Sequence, residues 1–153
     1  MSDTSGYKKE VIQEATNRLR QQLGDLQKEQ RKTLRDVNSE DIDKGDLAES
    51  PKEQMMDEFL EQGLSLEHLH KAIEKLQHMA ALTENPAVVS FGSLVKTNVG
   101  DFLIGTTFPE FSWKGNKIRG LSMEAPLFKK MEGLKPPAEF HLHDREYIIK
   151  DIV

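Results

Sequence analysis

An α+β fold is predicted, with an N-terminal antiparallel helical hairpin of coiled-coil type followed by a small β-rich domain. Three observations predict it. Two long segments carry apolar residues stepping by three and four. A polar, acidic stretch joins them. After residue 86 that period gives way to short β-branched runs between Gly, Asn and Pro turns.

The first helix is read between Tyr7 and Val37, from the stripe Ile12, Ala15, Leu19, Leu23, Leu26 and Leu34, with Gln30 in the missing slot. The stripe is narrow, a seam rather than a broad core face. No Pro interrupts it, and Gly24 costs about 1 kcal/mol against Ala. The second stripe runs Met55, Phe59, Gln62, Leu66, Leu69, Ile73, Leu76 and Ala80. Its start is signalled by Ser50 as N-cap, Pro51 at the first helical position and Glu53 closing a capping box. Its stop is signalled by Asn85-Pro86, because the residue before proline avoids the helical region.

Each segment is about 30 residues, or about 45 Å at 1.5 Å per residue. Matched lengths around a polar turn predict one hairpin over residues 1–85 with its tip at 38–50; a long parallel dimer is the competing arrangement. The tip carries Glu40, Asp41, Asp43, Asp46 and Glu49, with Asp36 just before. From composition alone these are a solvated loop whose carboxylates complement the dipole of the second helix. The functional alternative is a share in a Mg²⁺ site that a partner completes, since Mg²⁺ takes one or two carboxylates and fills the rest of its shell from water and phosphate.

Residues 86–153 read as a β-rich domain. Antiparallel strands are expected within Ala87–Val95, at Phe102–Gly105, Glu139–His143 and Tyr147–Val153, with a short helix from Ala125 to Met131. Turns are expected at Asn98–Asp101, Lys114–Lys117 and His143–Glu146. About 68 residues is near the lower size for independent folding.

Charge separates along the chain. Residues 1–35 hold eight Lys/Arg and five Asp/Glu, residues 36–62 hold two and ten, and residues 63–153 hold eleven of each, within a net −5. A localised electrostatic role fits this better than a uniform solubilising coat. Net acidity argues against non-specific duplex binding, which needs many phosphate-neutralising cations. The absence of Cys excludes disulfides, zinc–cysteine sites and thiol catalysis. No leader pattern and no membrane-length apolar run is seen, so a cytoplasmic location is expected, without a membrane or sequence-specific DNA partner.

Conventional self-contained catalysis has no visible site: there is no Ser/His/Asp arrangement, no phosphate-binding Gly-rich loop and no basic–aromatic RNA motif. His141 and His143 share a strand face at i, i+2, but no third metal ligand accompanies them. His68 and His70 read as surface. Phe108, Phe111 and Trp113 are either core or an exposed docking patch.

The motif Gly45-Asp46-Leu47-Ala48-Glu49-Ser50 matches the tip pattern Gly-Asp-Leu-Ser-Glu-Asn of the Gre family of transcript-cleavage factors, the GreA/GreB group, and sits where the helical periods put the apex. Val89–Val95, Phe102–Gly105, Leu121–Leu127 and Tyr147–Ile152 resemble, in order, that family's opening strand, second strand, Ile-Ser-x-x-Ser-Pro-Leu segment and closing strand. The resemblance covers nearly the whole chain.

It implies a bacterial transcription elongation factor that binds RNA polymerase. A C-terminal domain like the FK506-binding proteins docks at the secondary channel, and the hairpin enters it. Asp46 and Glu49 are then the tip acids acting in trans at the polymerase active site. Asp46 is a ligand of the second Mg²⁺, present only in the complex, and Glu49 orients the water or Asp46. Backtracked nascent RNA is cleaved by the polymerase, so the chain itself is not an enzyme; it needs no cofactor in isolation and is expected to be a monomer. Glu110 and Pro126 fall at the family's docking positions, and Arg31, Lys32 and Arg35 face the RNA or are ordinary helix-surface charges. The departures are Ser50 and Ala125 in place of the family's Asn and Ser, a longer Pro109–Arg119 segment, and a more polar Lys129–Gly133. Two other functions stand beside this one. A non-cleaving regulator of the same channel is suggested by the surplus acids Asp41 and Asp43. A prolyl-isomerase-like chaperone has only fold analogy behind it.

Overall fold

The computed structural model describes residues 4–39, 51–82 and 85–153. Its elements are α1 (Thr4–Ser39), α2 (Pro51–Ala81), β1 (Leu94–Thr97), β2 (Gly100–Ile104), β3 (Phe111–Trp113), β4 (Asn116–Leu121), α3 (Pro126–Met131), β5 (Ala138–Leu142) and β6 (Arg145–Ile152). The chain therefore has two long N-terminal helices followed by a mixed β-sheet domain. It forms two compact units. One is Arg18–Ile73, and the other joins Met1–Asn17 to Glu74–Val153.

In the Arg18–Ile73 unit the two helices run antiparallel. Gln62 Nε2 donates to Thr33 Oγ1 at 3.3 Å, and Gly63 lies opposite Gln30, so numbers rise on one helix as they fall on the other. Leu19, Leu69 and Ile73 are buried along the stripe, as the three-and-four spacing predicts. The distal end departs from it. Leu34 is 43% exposed, and Thr33 fills the interface with Gln62. Thr33 Oγ1 also donates back to the Glu29 carbonyl. One buried atom, Gln62 Oε1, has no partner among the described residues.

In the other unit the sheet order is β3-β4-β2-β1-β6-β5. All pairs are antiparallel except β2 with β4, which is parallel. The expectation of antiparallel strands is corrected there. The chain leaves β2, turns back as β3 at the edge, and its hairpin return β4 enters beside β2 in the same direction. That hairpin turns on Lys114 and Gly115, both at positive φ (50° and 84°). His143 and Asp144 do the same between β5 and β6 (50° and 62°). Two positive-φ residues match the twist of two-residue hairpin turns.

Residues 87–93 are not strand, although their β-branched composition suggested one. Local bonds capture the backbone at the serines, Ser90 N–H donating to Ser93 Oγ (2.9 Å) and Ser93 N–H to Ser90 O (3.0 Å), while Val89 N–H reaches the distant Leu134 O (2.9 Å). Serine side chains competing for backbone groups in this way end extended structure.

Alternation on the strands makes two faces. Val95, Phe102, Ile104, Leu121, Tyr147 and Ile149 pack with Val89 and with Phe128 and Met131 of α3. The opposite face carries Leu94, Leu103 and Ile118, all fully buried, under the first turns of α1 and the last turns of α2. Each such side chain contributes about 1.5–3 kcal/mol by leaving water. α2 ends at Ala81, earlier than the Asn85-Pro86 signal suggests, and its last buried stripe position is Met79, not Ala80. The reason is Gly105, whose bare Cα admits the Met79 methyl and the Phe91 ring.

Candidate functional site

The acids of the tip motif, Asp46 and Glu49, with Glu40, Asp41 and Asp43, lie outside the described residues, as does the Ser50 cap. What is described is their frame. They occupy the connection between the C-terminus of α1 and the N-terminus of α2, two helices that pair antiparallel. Arg31, Lys32 and Arg35 are exposed in the last turns of α1 before that connection. Arg31 and Arg35, four residues apart, share one face.

Glu110 immediately precedes β3 and is exposed, but it is not a bare carboxylate. Arg119 Nε on β4 donates to its Oε1 at 2.7 Å, and Lys117 Nζ stands 3.9 Å from Oε2. Arg119 also lies over the Phe102 ring, 5.9 Å from its centroid. The hydrogen bond from Arg119, reinforced by both cations, holds the Glu110 carboxyl below its usual range. Arg119 and Lys117 escaped the sequence reading. The signal was present only as β alternation, which puts 117 and 119 on one face of a strand beside the 110 position.

Pro126 is exposed at the start of α3, where its missing N–H costs nothing. The turn before it is held by Ser122, whose hydroxyl donates to the Glu124 carboxylate and accepts from the Glu124 N–H at 3.1 Å. The hydrogen bond from the Ser122 hydroxyl lowers the Glu124 carboxyl pKa most, and the residue's own main-chain N–H adds to it. Ala125, where the Gre pattern has Ser, makes no side-chain cap. Glu110 and Pro126 are linked through β4: Arg119 grips Glu110, and two residues later the strand passes into the Ser122 turn.

A second polar cluster joins α1 to the sheet. Tyr7 OH donates to Asp101 Oδ2 (3.2 Å) and accepts from Asn116 Nδ2 (3.0 Å), while Lys96 Nζ sits 4.7 Å from the Tyr7 ring centre. Burial pushes the Asp101 carboxyl up, partly opposed by Lys96 and by the Tyr7 hydrogen bond. Burial also raises Tyr7, and it lowers Lys8, whose ammonium donates to the Val153 main-chain oxygen at 3.1 Å. Glu10 takes Lys114 Nζ (2.7 Å) and Trp113 Nε1 (3.2 Å), which lower its pKa. This cluster anchors the base of α1. Sequence could not show it, because Tyr7 and Asp101 are 94 residues apart.

The aromatic question resolves toward packing. Phe111 is buried, Phe108 packs on it with the rings tilted by 39° and 5.7 Å between centres and fills the space that a side chain at Gly120 would take, and Trp113 is tied to Glu10. A cavity of about 370 Å³ elsewhere is lined by Lys8, Leu82, Ser90 and one aromatic, Phe91. His143 lies in the β5–β6 turn rather than on the strand with His141, so the i, i+2 strand pair does not exist. Among the described residues no three His, Asp or Glu gather as a metal site. No helix among them is long and apolar enough to cross a membrane.

No protein-family model matches the sequence, and no curated protein matches it. Among solved structures the chain is similar to the crystal structure of GreA factor homolog 1 protein of Thermus thermophilus. The identity is 16%, over 91% of this chain and 94% of that one, with a TM-score of 0.34.

Proposed function

We propose that the chain is a Gre-type factor of RNA polymerase, whose helical pair carries Asp46 and Glu49 through the secondary channel to promote cleavage of backtracked RNA. One observation carries this reading: the Gly45–Ser50 motif falls in the connection between two long helices that pair antiparallel. Paired helices can present a short acidic segment as a rigid probe. From Arg18 to Ser39, α1 alone provides about 33 Å of helix at 1.5 Å per residue.

The donor chemistry of the tip fits Mg²⁺, because carboxylate oxygens are hard ligands. When bound beside the polymerase's own metal, that ion stabilises the attacking and leaving oxygens of phosphodiester hydrolysis. Asp46 supplies one carboxylate to it, and Glu49 orients the water or Asp46. The polymerase provides the rest of the active site, so the factor stimulates the reaction without being an enzyme. Glu110, steadied by Arg119, and the Ser122-braced turn at Pro126 serve as docking contacts. Arg31, Lys32 and Arg35 face the RNA. Location in the cytoplasm follows from that partner.

The test is RNA shortening in a stalled elongation complex of the cognate polymerase. Wild type is expected to shorten the transcript, and Asp46→Asn to lose the effect. Undiminished cleavage with Asp46→Asn would end this reading. The surplus acids Asp41 and Asp43 favour a second reading, a regulator that occupies the channel and binds the metal unproductively. Inhibition of transcription with no RNA shortening by the wild-type chain would select it.

A further inference from the structure

The cavity of about 370 Å³ lies wholly within the unit that holds the sheet, lined from the start of α1, the end of α2 and the segment after it. Small-molecule sites run from about 300 to 1,000 Å³, so this one suits a small ligand. A cavity of about 150 Å³ holds benzene, which leaves room here for a ring and a polar substituent.

The lining is of two kinds. Leu82, Pro86 and Phe91 are apolar walls. The Phe91 ring is held in place: His78 meets it in a T-shaped contact, 5.5 Å between centres, and its edge lies against Gly105. A fixed aromatic wall favours a flat apolar partner. The polar lining is dominated by Lys8, which carries the one charge among the described lining residues and is 7% exposed. An ammonium has three hydrogens to donate, and among the described residues Val153 O takes one of them, at 3.1 Å. A buried cation short of acceptors is costly, and burial already lowers its pKa. An anion in the cavity supplies acceptors and opposite charge together. Asn85 also lines the cavity and is exposed, so its amide N–H groups stand at the opening, where they suit the same oxygen atoms. The Ser90 hydroxyl already donates to the Val88 carbonyl at 3.2 Å.

We infer that this cavity is a binding site for a small monocarboxylate with a single-ring apolar body. The carboxylate meets the Lys8 ammonium and the Asn85 amide, and the body lies against Leu82, Pro86 and Phe91. Inorganic phosphate answers the cation but not the walls, and an uncharged ring answers the walls but not the cation. The site shares no residue with the tip or with Glu110 and Pro126, so it stands or falls apart from the polymerase reading.

The experiment is titration of the isotope-labelled full chain with benzoate at constant ionic strength, read by amide NMR shifts. Saturable shifts are expected at Leu82, Asn85 and Phe91, with a Kd on the order of 1 mM. Benzyl alcohol and inorganic phosphate are each expected to bind about tenfold more weakly or worse. Lys8→Met and Asn85→Asp are each expected to weaken benzoate by about tenfold or more. Lys8 is buried, so its variant is read only once a thermal melt shows it folded. Asn85 is exposed, so Asn85→Asp keeps the fold and sets a like charge against the carboxylate. No saturable benzoate shift would overturn the site. Benzyl alcohol or phosphate binding as tightly as benzoate would overturn it too, the first leaving an apolar hole and the second a bare cation. Benzoate binding undiminished in Asn85→Asp would do the same, whatever the state of Lys8→Met.

Discussion

Gly105→Ala should be a strongly damaging one-methyl change in the β unit. The residue has φ +136°, where an L side chain is strained at a cost of about 1–3 kcal/mol. A methyl there would also stand 2.6 Å from both the Met79 methyl and the Phe91 ring edge. Met79 ends in a flexible thioether and can yield, but the Phe91 ring cannot withdraw without disturbing the 90–93 turn. Overpacking of this kind costs about 1–3 kcal/mol. Alanine returns about 0.4–1 kcal/mol by restricting the unfolded chain. The net is a loss of about 3 kcal/mol, or roughly 6–12 °C in Tm for a chain of this size. Trp113 is the chain's single tryptophan and lies in the same unit, so its fluorescence in a urea titration reports the loss directly. Gly115→Ala is the control. It has φ +84° but nothing within 4 Å of the new methyl, and should lose only about 1 kcal/mol of strain. If Gly105→Ala lost no more than Gly115→Ala, the close approach of Met79 and Phe91 would not be the constraint.

Three further outcomes follow from the polar clusters. Thr33→Val/Gln62→Leu should be neutral or raise stability by about 1 kcal/mol in thermal melts, because it removes a buried pair with one unsatisfied oxygen; a clear loss would show that the pair holds the helix register. Tyr7→Phe should cost about 1–2 kcal/mol through the hydroxyl shared by Asp101 and Asn116, read by urea denaturation. Asp101 has a raised folded pKa, so its protonated form is favoured on folding. Its contribution is greatest below the unfolded pKa and falls as pH rises through the folded value. The stability of wild type relative to Asp101→Asn should therefore decline from acid toward neutral pH; an increase over that range would mean that Lys96 and Tyr7 outweigh burial.

The long helices were legible because a three-and-four period over about 30 residues is a local signal. It failed where two adjacent residues could each continue the stripe. Thr33 was taken in place of Leu34, and Met79 in place of Ala80, because the polar partner Gln62 and the bare Gly105 made room for them. The hairpin turns at Lys114-Gly115 and His143-Asp144 were legible from turn chemistry, though His143 left its strand to make one. The parallel pairing of β2 with β4 was not legible, since it depends on which strand inserts between neighbours distant in sequence. At the candidate docking positions, Glu110 and Pro126 were named from the motif order. The Arg119 and Lys117 partners of Glu110 needed the sheet register to be seen. The tip acids were identified by motif alone, and the structure contributes the two helices that flank them.

The central claim is that the Asp46 carboxylate acts in trans on the polymerase's hydrolysis of RNA. Its most direct measurement is the single-turnover rate of transcript shortening in a stalled elongation complex, over a Mg²⁺ series, with wild type, Asp46→Asn and Glu49→Gln. The expected result is that wild type accelerates shortening and that Asp46→Asn loses at least about 100-fold, the scale of removing one group that stabilises the transition state. Part of that loss should be recovered at high Mg²⁺, while binding to the polymerase is unchanged. Equal rates for wild type and Asp46→Asn at every Mg²⁺ concentration would contradict it.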